Sequence, residues 1–320
     1  MRLYVIGNGF DIRHGLPTRF CCFEAYVKRH NQQLYESISN FVPTEDEWND
    51  LESALGNFNY DGAFEENSGL LMSPGDDDWR DSANHDFPYE IEQITQRLIK
   101  ELPLALRDWI NAIDLSRALT PPSYIPSINR DSYFFTFNYT NTLQDIYGVP
   151  DENILHIHGN AKIGQNLVIG HDVFYENSLN TDHGPDQDIR VSDAYDHIDN
   201  YFKNSYKPTD VIIDFHKEQF LRYSEVDEVL VLGHSLASVD GPYFTKISQS
   251  ISKNATWVLA KYPGETKAGK LSDYGINPSN IFEKNYEDLV LLPPINGGCT
   301  TNKREKKQLH LFDCFVLDVL

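Results

Sequence analysis

The sequence is short of positive charge. Its 320 residues carry 27 Lys and Arg against 48 Asp and Glu, a formal charge of −21 at pH 7. That balance argues against nucleic-acid binding by phosphate neutralisation and against adhesion to anionic lipid, so neither nucleic acid nor membrane is expected as a partner. A small anion stays open, because backbone amides can hold one without basic side chains. Cysteine is scarce as well. Cys21, Cys22, Cys299 and Cys314 contain no C-x-x-C pair, which argues against a zinc ribbon, and four cysteines in a chain this long make no disulfide scaffold. Long hydrophobic runs are missing: no stretch approaches 18 apolar residues, and the first run, Leu3 to Ile6, is too short for a signal peptide. Repeats and low-complexity tracts are missing too. The expectation is a soluble, cytoplasmic protein.

What the chain has is core. Hydrophobic residues make up 40 %, with 18 Phe, 18 Tyr and 4 Trp, enough for one large domain. Short, nearly continuous apolar runs predict buried strands at Leu3–Ile6, Tyr133–Phe137, Ile154–His158, Leu167–Ile169, Glu228–Leu232 and Trp257–Ala260. Several end at glycine, and helical stretches separate them, which is the pattern of a parallel sheet covered on both faces. A helix is expected after Thr18, with Phe20, Phe23, Tyr26 and Val27 on one face. Helical spacing recurs at Trp48, Leu51, Leu55 and Phe58, and again from Ile91 through Leu106. Residues 41–130 therefore read as a helical insertion or cap in a sheet domain of 1–40 and 131–295. Residues 172–210, rich in Asp and Asn, read as a long irregular connection. The tail, 296–320, holds the basic cluster KREKK and the apolar LHLFDCFVLDVL.

Three short motifs sit at strand ends. The first is GNGFDIRHGLPTRF, residues 7–20, in which Gly7-Asn8-Gly9 follows a strand. A strand followed by G-x-G suits either a tight turn or a nucleotide site, and the third glycine of a dinucleotide fingerprint is replaced by Ile12. Gly7, Gly9, Gly15 and Pro17 fall at the spacings of the sirtuin opening, which they resemble, with Asp11 where sirtuins usually carry serine. The GNGFD and HGLPT wording is similar to that of the AbiH family of phage abortive-infection proteins, grouped with sirtuin-like folds. The second motif, Thr136-Phe137-Asn138-Tyr139-Thr140-Asn141-Thr142, resembles the sirtuin threonine-glutamine-asparagine segment, and His158-Gly159 follows 20 residues after Asn138. The third, Gly233-His234-Ser235-Leu236, resembles the late glycine-threonine-serine-leucine turn beside the adenosine half of the cofactor.

The resemblance implies a Rossmann-like α/β parallel sheet of sirtuin type and antiphage defence through cleavage of the nicotinamide–ribose bond of NAD. In that reading Asn138 orients the ribose or the attacking water and His158 is the base. Gly7, Asn8, Gly9, Phe10, Asp11, Gly15, Pro17, Thr18, Gly159, Gly233, His234, Ser235 and Asp240 contact the dinucleotide. The chemistry agrees: an amide offers donor and acceptor without charge, and imidazole titrates near neutrality. An adenine dinucleotide is the expected partner; a phage-derived trigger and a homo-oligomer are left open. The two cysteine pairs of the sirtuin zinc module are missing, which disfavours a protein deacetylase.

Other readings of the same residues stand beside this one. His156 and His158, two apart on a strand, have metal-ligand spacing, but His171, Asp172 and His234 form no motif with them, and no metal is expected. Gly233-His234-Ser235-Leu236-Ala237 imitates a nucleophile elbow, for which Asp273 or Asp288 and His310 would complete an esterase. A module that binds a nucleotide without turning it over would share every motif. Asp240-Gly241-Pro242 reads first as a helix start. Trp48 reads as core, with Glu52 on the same helix.

Overall fold

The computed structural model describes residues 1–116, 128–181, 184, 187–261 and 268–290. The tail with its basic cluster, Cys299, Cys314 and His310 lies outside them.

Among the described residues six strands form the sheet: β1 (Arg2–Ile6), β2 (Tyr133–Thr136), β3 (Ile154–His156), β4 (Glu228–Leu232), β5 (Thr256–Lys261) and β6 (Ile281–Asn285). Every pairing is parallel, and the order is β3-β2-β1-β4-β5-β6. This is the doubly wound Rossmann order, whose direction reverses between β1 and β4. The apolar runs explain why these strands lie inside. Leu3, Val5, Val229 and Val231 enter one core with Tyr243, Phe244 and Ile247, while Tyr4, Ile6, Leu230 and Leu232 enter the other with Phe10, Phe134 and Tyr147. A strand buried on both faces must be apolar at successive positions, as a parallel sheet requires. Ile6 pairs with Thr136 on one side and Leu232 on the other, so β1, β2 and β4 end level.

Two compact units divide the chain. The described residues of Met1–Cys22, Ile113–Ile163 and Thr209–Leu320 make the first, which holds the sheet; those of Phe23–Ala112 and Gly164–Pro208 make the second. The second is helical. Phe20–His30 begins where the sequence predicts, and the long apolar spacing becomes Ala83–Gln96, a π-turn over Arg97–Glu101 and Leu102–Ala112. The helix expected from Trp48 to Phe58 is broken into a short 3-10 turn, Asp46–Trp48, and a helix, Leu51–Leu55. Glu47 and Trp48 take left-handed φ values of 63° and 55°, incompatible with a continuous helix. Trp48 is core, beside Phe23 and Tyr35, and Glu52 lies 3.6 Å from Lys207 Nζ.

Three further expectations change. Leu167–Ile169 forms no strand; Gly170 after it is required because a Cβ there would stand 2.1 Å from Ser205 O. Residues 172–210 are not one irregular connection, since Ile189–Ser205 is a helix of 17 residues whose start Asp188 caps by accepting from Arg190 N–H. Its buried positions, Ala194, Ile198, Tyr201, Phe202 and Ser205, keep helical spacing between the acidic and amide residues. Finally, β6 went unread because Ile281–Asn285 alternates half-buried and exposed positions and lacks a continuous apolar run.

Candidate functional site at the strand ends

The glycine turns pack on each other. Gly7 N–H donates to Leu232 O at 2.9 Å and Gly9 N–H to Gly233 O at 2.8 Å. A Cβ on Gly7 would lie 2.7 Å from His234 Cα, and one on Gly9 2.8 Å from Gly233 O. Gly233 has φ +70°, and its Cβ would fall 2.1 Å from Phe10 N. These three glycines therefore let the turns after β1 and β4 lie backbone against backbone at the point where the sheet reverses. Two amides expected to grip an anion, those of Gly7 and Gly9, are occupied within the protein. Phe10 is fully buried beside His14 and Tyr147. Gly15, at φ +73° with open space around it, ends the Asn8–Arg13 helix, accepting the usual left-handed position. Pro17 leads into Thr18, whose carbonyl accepts from the Asn8 side chain at 2.7 Å.

Asn138 follows β2. Its backbone N–H donates to Thr136 Oγ1 at 3.1 Å and its Nδ2 to Gly7 O at 3.2 Å, which ties it to the first turn. Its Oδ1 is buried and meets no donor within hydrogen-bond geometry. Thr140 Oγ1 donates to Asp11 Oδ2 at 2.5 Å and lies 3.0 Å from Thr142 Oγ1. Asp11 is 1 % exposed. Burial pushes its carboxyl up to about 6, against the opposing pull of Thr140, Thr142 and Asn138.

The two histidines of the β3 segment do not share a strand face. The strand ends at His156, and Gly159 turns the chain with φ +89°. His156 Nδ1 lies 3.0 Å from Asn138 O, which can only accept, so Nδ1 carries the proton and Nε2 accepts from Gln144 Nε2 and Asn160 Nδ2. Its pKa is lowered by burial. His156 thus holds the Asn138 loop in place, and His158 alone turns toward the third motif.

There one carboxylate meets two imidazoles. Asp240 Oδ2 is 3.3 Å from His234 Nε2, and Oδ1 is 3.9 Å from His158 Nε2. Leu236 N–H donates to His234 Nδ1 at 2.8 Å. A nitrogen that accepts carries no proton, so the ring proton sits on Nε2, facing Asp240. All three side chains are buried, with Phe137 5.2 Å from the His158 ring and 4.2 Å from that of His234. The helix Gly241–Ser250 begins where Asp240-Gly241-Pro242 predicts, yet the Asp240 side chain makes no capping bond. The sequence did not join His158, His234 and Asp240, because their partnership depends on the turn between Gly233 and Asp240.

The sequence profile of the family described as bacteriophage abortive infection AbiH matches residues 3–261. The chain belongs to the AbiH family. No curated protein matches it. The match takes in the first five strands and all three motifs of this AbiH chain, so the strand-end constellation lies within the part that defines the family.

Other expected groupings are not brought together. Among the described residues of this AbiH protein, no group of three or more His, Cys, Asp or Glu side chains is disposed to hold a metal ion. His171 directs Nε2 at Ser205 Oγ, 3.0 Å away. Ser235 is exposed, and the chain after it turns helical only at Ser238, not at the serine as in an elbow; Asp273 and Asp288 are exposed, and His310 is outside the described residues. A groove of about 570 Å³ is lined by Asp210, Asp214, Lys217, Ser238, Lys246 and Tyr274 among others, and by none of the predicted site residues. No described helix is long and apolar enough to cross a membrane.

Proposed function

We propose that this AbiH protein acts in phage abortive infection as a sirtuin-like NAD glycohydrolase. NAD and water become ADP-ribose and nicotinamide, with a proton released. The nicotinamide–ribose bond breaks through an oxocarbenium-like state, so the site must orient the ribose and water and accept a proton. Asn138 suits the first task. With Nδ2 held by Gly7 O, its buried Oδ1 is left to accept from a ribose hydroxyl or water. His158, beside Asp240, suits the second. The observation that carries this reading is the placement of Asn138 and His158 just past the carboxyl ends of β2 and β3, with Asn138 tied to the β1 turn through Gly7 O, in a sheet whose strand order reverses between β1 and β4.

The test is free nicotinamide, measured after incubating the purified full chain with NAD, alone and with extract from phage-infected cells. Release that disappears in Asn138→Ala and His158→Ala supports the enzyme. Tight nucleotide binding with NAD intact under both conditions overturns it in favour of a sensing module. Covalent labelling of Ser235 by a fluorophosphonate would overturn it in favour of an esterase.

A further inference from the structure

We propose that Asp240 is a positioning residue for the histidine pair, set 3.3 Å from His234 at one carboxylate oxygen and facing His158 across 3.9 Å with the other, and not a contact to the dinucleotide. The inference rests on His158 being the base of the proposed reaction.

An aspartate just before a helix ordinarily turns its carboxylate onto the first free amides. Asp240 precedes the Gly241–Ser250 helix and does not do so; its φ and ψ are −95° and −4° and no capping bond forms. The carboxylate faces His234 and His158 at 3.3 and 3.9 Å instead. The turn that delivers it is held in an uncommon form. Gly233 has φ +70° and Leu236, a buried non-glycine residue, has φ +57°, which costs about 1–2 kcal/mol. Tyr274 OH lies 3.1 Å from Leu236 O and 3.2 Å from Ala237 O, bracing the same segment. A strained turn persists where its surroundings over-determine it, and such turns cluster at functional sites.

The consequence is chemical. When His158 takes a proton, the new charge on its ring faces Asp240 Oδ1 in a site largely closed to water, where an opposite charge favours the protonated form. His234 already points its Nε2–H at Asp240 Oδ2 and so orients the carboxylate. Among the described residues, the other titratable groups facing the cluster are phenols: Tyr139 and Tyr243 beside the His158 ring and Tyr274 near Asp240. Among the described residues, Asp240 is thus the acid that this arrangement sets against both imidazoles.

Asp240→Asn keeps the shape and removes the charge. In the nicotinamide-release assay across pH 5–9, kcat falls by about tenfold or more with KM within about twofold, and the acid limb of the profile moves to lower pH. A raised KM with kcat retained would mark a dinucleotide contact and overturn the assignment. A second arm needs no turnover: nitrogen-15 NMR of the imidazoles in the unliganded full chain. His234 shows its proton on Nε2, and the His158 midpoint drops by roughly one pH unit in Asp240→Asn; an unchanged midpoint overturns the proposal. If Asp240→Asn does not fold, the wild-type chain decides: a step in the Asp240 carboxylate signal at the His158 midpoint couples the two groups, and a carboxylate signal that stays flat through that midpoint refutes the coupling. Should wild type release no nicotinamide under any condition, the glycohydrolase reading falls while the NMR arm still judges Asp240.

Discussion

Gly233→Ala tests why the glycines stand where they do. Two costs separate at this position. The first is conformational: φ is +70°, and a non-glycine residue in the left-handed region costs about 1–2 kcal/mol. The second is contact, because the added Cβ would lie 2.1 Å from Phe10 N and 2.5 Å from Gly9 C, both backbone atoms that no rotamer change can move. Relief requires the two turns to part, which breaks the Gly9 N–H to Gly233 O bond and costs about 1 kcal/mol. It also loosens the fully buried Phe10, at about 1–3 kcal/mol. The sum is on the order of 3–6 kcal/mol. Gly15→Ala is the matched control: φ is +73°, but nothing lies within 4 Å of the added Cβ, so only the conformational cost of about 1–2 kcal/mol applies. Urea unfolding of both variants, read at the transition that includes the sheet, gives the comparison. Equal losses at the two positions would refute the close-approach argument and leave the left-handed backbone as the sole reason for glycine.

Asp11 makes stability pH-dependent in an unusual direction. Its folded pKa of about 6 lies above the usual carboxylate value, so between pH 4 and 6 the folded state binds more protons and stability falls as pH rises, by on the order of 3 kcal/mol. Urea midpoints of wild type and Asp11→Asn over pH 4–7 check this, and parallel curves would refute it. Tyr201→Phe removes the 2.7 Å bond to Leu55 O in the helical unit and leaves a buried carbonyl short of a donor, a loss of about 1–3 kcal/mol in a thermal melt. Arg2→Ala breaks a pair with Glu228 that is about a third exposed on both sides, and the same melt should register less than about 1 kcal/mol.

Much of the sheet was legible because burial on both faces writes itself as an unbroken apolar run. Glu228–Leu232 and Tyr133–Thr136 announce themselves this way, whereas β6 has Phe282 and Lys284 at its surface-facing positions and offers no continuous apolar run. The Ile189–Ser205 helix was hidden by composition, since its Asp and Asn residues occupy the wet side of an ordinary amphipathic helix. At the strand ends, residue type and order point to Asn138 and His158, and the structure places the first in the turn after β2 and the second past the end of β3. The depth of Asp11 and the pairing of Asp240 with His234 were not legible, because each depends on loops meeting across strand ends over distances of 129 residues, as between Asp11 and Thr140, or through a strained turn. The close approach of Gly7 and Gly9 to the Gly233 turn was not legible either, because it too forms only where two strand ends meet.

The place of β1 at the middle of the sheet bears on how the chain is made. Arg2 pairs with Glu228, 226 positions later, and Leu3 with Tyr133, so β1 has neither neighbour when it is synthesised. At translation rates of about 5–20 residues per second, its second edge stays open for roughly 10–50 s. Through that interval an apolar strand with unpaired amides and carbonyls is a template for wrong partners. Ribosome-associated chaperones should therefore govern how much of this protein reaches its native state.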